Sequence, residues 1–153
     1  MGRLGEKHWN NLPWDGDLGR DSRLKDLTSS ETLNDSQTVL EDLDDLCVLL
    51  LFSVFEATIR ERVLAEVDAE LPPLRHVAIK RALDEMRDGI EHGSFFRVLE
   101  PYKEFDDDLV EQVNQVRRYR NWVAHGRRTA QPAAVSPATA YDRLKRFLDH
   151  LGA

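Results

Sequence analysis

The stretch that decides the fold is "SQTVLEDLDDLCVLLLFSVFEATIRERVLAEVDAEL", Ser36–Leu71. It contains no glycine or proline. Apolar residues recur at Leu43, Leu46, Leu50 and Val54, and again at Leu51, Phe55, Ile59 and Val63, in the steps of three and four that a helix requires. The middle is apolar nearly all round, which predicts a long, deeply buried helix beginning near Asp35. Thr38 followed by Glu41 has the form of a capping box at its start. Ahead of it, residues 1–34 lack a sustained period and carry Trp9 and Trp14 among glycines and polar residues. They read as an irregular arm, packing by its two tryptophans or lying extended on a partner.

Downstream, the punctuation is helical throughout. "LPPLRHVAIKRALDEMRDGIEHGS" predicts a second helix with Pro72 and Pro73 in its first turn and Gly93 at its end. Its apolar face would be Leu74, Val77, Ala78, Ala82, Met86 and Ile90. "FFRVLEPY" predicts a short helix or turn ending near Pro101. "DDDLVEQVNQVRRYRNWVAHG" predicts a fourth helix, with Asp108 and Glu111 as a capping box and Gly126 as its stop; the acids Asp106–Asp108 and the later arginines match the two ends of its dipole. Ser136–Pro137 is a cap and first residue for a final helix with Tyr141, Leu144, Phe147, Leu148 and Leu151 on one face. No strand pattern is present. The expected architecture is all-α, an up-and-down bundle of four to five helices over residues 35–153.

A length of 153 residues suits a single domain, and a formal net charge of −7 excludes a protein that coats nucleic acid indiscriminately. Any contact with nucleic acid must be local. The single cysteine, Cys47, excludes a disulfide framework within one chain and reads as a small buried hydrophobe. The apolar run Leu46–Phe55 is too short to span a bilayer, which takes about 20 residues. Nothing at the N-terminus resembles a signal peptide, so a cytoplasmic location is expected.

Against that acidic background, Arg117–Arg128 holds five arginines and no acid. The seam of the fourth helix runs Leu109, Val113, Val116, Arg120, Val123, placing a guanidinium where an aliphatic side chain is due. An arginine there is either paired with a carboxylate or faces a cleft. Glu56, interrupting an apolar run, either pairs with Arg120 behind the site or faces solvent at the helix edge. Asn121 and His125 are four apart and share a face. Guanidinium grips phosphate in bidentate fashion, imidazole exchanges a proton near neutral pH, and an amide orients either group. These are the parts needed to cleave RNA through its own 2′-hydroxyl, a reaction that requires no metal or cofactor. His8, His76, His92 and His150 are scattered, without metal-ligand spacing. Arg117, Arg118, Arg127 and Arg128 are either solvated cations complementing the helix dipole or contacts to an RNA backbone. Trp122 either packs in the core or an interface, or stacks on a base.

The string "RNWVAHG", Arg120–Gly126, resembles the signature of the HEPN superfamily: an arginine, a polar residue directly after it, and a histidine a few positions on. "FEATIRE", Phe55–Glu61, is similar to a stretch found in several HEPN groups, including the RiboL-PSP type. The resemblance covers roughly Leu40 to the C-terminus. It implies a homodimer in which two motif-bearing helices meet at one cleft, and a metal-independent endoribonuclease of the toxin–antitoxin or phage-defence kind. Arg120 would hold the scissile phosphate, His125 would be the general acid/base, and Asn121 would position His125 or the ribose. Toxins paired with nucleotidyltransferase antitoxins usually carry a tyrosine two positions after the histidine; Arg127 stands there instead, which sets this chain outside that subgroup. Two other functions compete: a non-catalytic HEPN module binding RNA, nucleotide or protein, and a helical adaptor associating through "LCVLLLFSVF".

Overall fold

A computed structural model describes residues 29–71 and 75–152. The expectations placed on Trp9, Trp14, Pro72, Pro73 and Leu74 lie outside those residues. The protein is an all-α bundle: α1 (Ser29–Glu70), α2 (Val77–His92), α3 (Phe95–Leu99), a 3-10 helix (Glu100–Glu104), α4 (Asp107–Ala124) and α5 (Pro137–His150). No described helix is long and apolar enough to cross a membrane.

The chain divides into two units after Leu43. In the first, α1 begins at Ser29, inside the expected arm, because no glycine or proline interrupts the chain there. Thr38 is therefore interior to the helix. Its hydroxyl donates to the Asn34 carbonyl at 3.0 Å, and the expected capping box does not form.

The second unit holds the core. Val48, Phe52, Phe55 and Ile59 form one buried face of α1, spaced four, three and four apart. They meet Phe95, Val98 and Leu99 of α3, Leu109, Val113 and Val116 of α4, and Leu144 and Phe147 of α5. Phe95 stands edge-on to Phe52 at 5.6 Å, and Phe147 edge-on to Phe55 at 5.6 Å. Each buried phenylalanine contributes about 1.5–3 kcal/mol by leaving water.

The opposite face of α1 is a correction to the expected deep burial. Leu46, Leu50 and Val54 are 58%, 66% and 59% exposed, and Cys47 is exposed as well. The reason is one of coverage. The later helices, of 16, 5, 18 and 14 residues, gather along one side of the stretch of α1 that lies in this unit. Helix α2 is the second correction: none of its side chains is buried, and Val77 is 81% exposed. Polar contacts tie it instead. The Arg60 guanidinium, paired with Glu56, donates to the Ile90 carbonyl and to Gly93 O at 2.9 Å, satisfying carbonyls that the end of α2 leaves without partners. Arg87 of α2 pairs with Asp68.

Helix α3 ends at Leu99, near Pro101 as expected, and Pro101 sits in the first turn of the 3-10 helix, where its missing N–H costs nothing. One cap differs from expectation. The N-cap of α4 is Asp106, which accepts from Leu109 N at 2.9 Å, two residues ahead of the expected Asp108. Ser136 caps α5 as its sequence predicts, with Pro137 in the first turn.

Candidate functional site

The site is assembled at the C-terminal end of α4. The seam places Leu109, Val113 and Val116 in the core and brings Arg120 up half-buried beside them. Its guanidinium lies over the Phe52 ring at 5.7 Å, and Nη1 donates to Asn121 Oδ1 at 3.0 Å. Its Nε is buried and has no hydrogen-bond partner among the described residues. The Glu56–Arg120 pair does not form. Glu56 is taken by Arg60 one turn away, with Nε to Oε1 at 3.1 Å, because the i,i+4 partner on the same helix meets it without any tertiary cost. Arg120 is thus a cation held against a π face and an amide, with no carboxylate to neutralise it among the described residues.

The helix closes in a Schellman motif. Gly126 N donates to Val123 O and Arg127 N to Trp122 O, both at 2.9 Å. His125 is the C-cap residue and its side chain is exposed. Gly126 has φ +72°, the left-handed geometry glycine adopts freely, but Arg127 follows at φ +58°, which costs a side-chain-bearing residue about 1–2 kcal/mol. The next contact offsets that strain. Arg127 pairs with Asp45 of α1, a carboxylate only 6% exposed. The other oxygen of Asp45 accepts from the buried Tyr119 hydroxyl at 2.6 Å. Burial, then the hydrogen bond to Asp45 and its charge, push the Tyr119 phenol up to about 12, so it remains a donor at any working pH. Asp45 therefore ties the turn after His125 to the core. It lies 82 residues from Arg127, too far for any spacing rule to reach.

The four arginines expected at substrate divide. Arg127 is committed to Asp45. Arg117 donates from Nε to Asn114 Oδ1 at 3.0 Å and lies over the Phe96 ring; burial, then the neighbouring Arg118 charge, lower its pKa. Arg118 and Arg128 line a cavity of about 520 Å³ together with Asn121, Trp122, His125 and the loop that follows; Arg120 is not among its lining residues and meets it only through its bond to Asn121. Arg118 also pairs with Glu111. Arg128 makes no ion pair among the described residues. A second cleft, about 310 Å³, is lined by Glu66, Tyr102, Phe105, Asp106 and His150 among others, and holds none of the motif residues. Among the described residues, no three His, Cys, Asp or Glu side chains gather in a metal-binding group.

No family model, curated protein or solved structure matches this chain.

Proposed function

We propose that the chain is an endoribonuclease of HEPN type, cleaving RNA by attack of its own 2′-hydroxyl. The observation that carries this reading is the Arg120 guanidinium: half-sunk, with no carboxylate and no Nε partner among the described residues, one residue from Asn121 and five from His125. A bound phosphate supplies the charge it lacks. In the reaction, the 2′-oxygen gives up its proton and bonds to phosphorus, the bond from phosphorus to the 5′-oxygen breaks, and that oxygen takes a proton. No net proton is consumed, and the products are a 2′,3′-cyclic phosphate and a 5′-hydroxyl. His125 carries the proton exchange, Arg120 stabilises the phosphorane charge, and Asn121 holds the guanidinium in place. The resemblance adds a role as a toxin or phage-defence effector acting in the cytoplasm. The test is cleavage of a structured RNA: His125→Ala should lower the rate by about 10²–10⁴-fold. Unchanged cleavage would remove His125 from the chemistry. RNA binding without cleavage by the wild type would favour the non-catalytic module.

The reading includes a homodimer. The motif helix α4 carries no large exposed apolar side chain among the described residues, so the surface for a second copy is better placed on α1, at Leu46, Leu50 and Val54. These project from the uncharged run Leu46–Phe55, at helical steps of four, and are self-complementary across a two-fold axis. Leu50→Arg should convert a dimer to a monomer in light scattering with helicity retained. A variant of unchanged mass would move the interface elsewhere.

A further inference from the structure

The cavity beside His125 combines two chemistries. Arg118, Arg128 and His125 present groups suited to a phosphate, while Trp122 and the following loop present an apolar, partly aromatic wall. The indole is not free to turn. Its Nε1 donates to the Thr129 carbonyl at 3.0 Å, its ring packs tilted on Tyr119 at 5.8 Å, and the Arg127 guanidinium lies over the ring at 5.8 Å. The first bond also draws the loop after the motif back onto the helix, closing one side of the cavity. A rigid indole beside cationic side chains matches one ligand class closely, a nucleotide, with its base against the ring and its phosphate on the arginines. At about 520 Å³ the space is of small-ligand size.

We propose that Trp122 is the base-stacking residue of this cavity, which receives one unpaired nucleobase on its indole, beside Asn121, the amide that Arg120 contacts. This rests on the ribonuclease reading and narrows it. In a duplex both faces of a base are covered by its neighbours, so Trp122 can engage only a base already out of the stack. The chemistry asks for the same thing. The 2′-oxygen must come into line with the departing 5′-oxygen, a geometry that helically stacked nucleotides do not hold.

The experiment uses the full chain with Trp9→Phe and Trp14→Phe, leaving Trp122 as the one tryptophan of three. Its fluorescence is titrated with a six-nucleotide RNA made uncleavable by 2′-deoxy substitution, and separately with the same strand in a duplex. The expected result is quenching by the single strand, about tenfold or more weaker binding of the duplex, and single-strand binding reduced about 10- to 100-fold by Trp122→Ala in the otherwise native chain, followed by anisotropy of a labelled strand. Trp122→Phe should recover most of that binding. In cleavage assays the loss should fall mainly on KM. No quenching, with single strand and duplex cleaved equally, would overturn the pocket while leaving the ribonuclease reading intact. Quenching by the single strand, with anisotropy binding that Trp122→Phe preserves, in a chain that cleaves nothing, would end the ribonuclease reading while the pocket stands. If Trp122→Ala does not fold, the quenching, the duplex comparison and Trp122→Phe decide the matter alone.

Discussion

Replacing Arg120 should be as damaging to cleavage as replacing His125. Arg120→Ala is expected to lower kcat/KM by about 10³-fold, since on the proposed reading it removes the guanidinium that holds the scissile phosphate, one with no carboxylate partner among the described residues. Arg120→Lys should recover little of this. An ammonium carries the charge but lacks the planar fork that sits over the Phe52 ring and reaches Asn121 at the same time. Because the Arg120 side chain is half-buried on the seam, Arg120→Met keeps its apolar stem packed and separates chemistry from stability. It should unfold at a temperature close to the wild type and cleave no better than Arg120→Ala. An Arg120→Met variant that retained cleavage would mean that the guanidinium serves packing alone.

The second large effect is expected at Asp45, which touches no substrate-facing group. Asp45→Ala leaves the Tyr119 hydroxyl buried without its acceptor and releases Arg127 from the left-handed turn. An orphaned buried hydroxyl costs about 1–3 kcal/mol, and the freed turn adds to that. The denaturation midpoint should drop, and cleavage should fall with it, because the turn that follows His125 is no longer tied to α1. A tyrosine titration gives a readout that a general loss of stability does not. In the wild type, the fold favours the neutral phenol of Tyr119, whose pKa is raised from 10.0 to about 12. That contribution is present below the ordinary value and is lost as the pH climbs from there to about 12. With Asp45→Asn, the Tyr119 transition should move part of the way back down, since burial remains while the carboxylate charge is gone. A Tyr119 transition unmoved by Asp45→Asn would show that the Asp45 charge does not govern it.

Much of this arrangement was legible in local spacing. The four–three rhythm of α4 places Arg120 among core residues, Gly126 marks the end of the helix, and Ser136–Pro137 marks the start of α5. Each depends on a few neighbouring residues, and their geometry is fixed by backbone rules that operate over one turn. The parts that were not legible depend on distant partners. Nothing in the sequence near Asp45 points to Arg127 or Tyr119, because an acid inside an acidic helical stretch ordinarily faces water. The partner of Glu56 carries a readable signal, since Arg60 stands at i,i+4, nearer than the Arg120 that chemistry alone offers. The exposed face of α1 was hidden for a different reason. Hydrophobicity around a whole helix says which surface gains by burial, but whether it is covered depends on how many helices return to it. Here they return to one side, leaving Leu46, Leu50 and Val54 outward. The basic window showed the same limit, since composition could not tell that Arg127 and Arg117 are spent on Asp45 and Asn114 while Arg128 remains at the cavity.

The most direct measurement is the chemistry of the product ends. A defined RNA is incubated with the wild-type chain and with His125→Ala in EDTA, and the new termini are identified by mass. Cleavage through the 2′-hydroxyl should leave 2′,3′-cyclic phosphate and 5′-hydroxyl ends with the wild type and none above background with the variant; an RNA carrying 2′-O-methyl at the cut site should resist both. Products ending in 3′-hydroxyl and 5′-phosphate, or cyclic ends formed equally by His125→Ala, would contradict the mechanism.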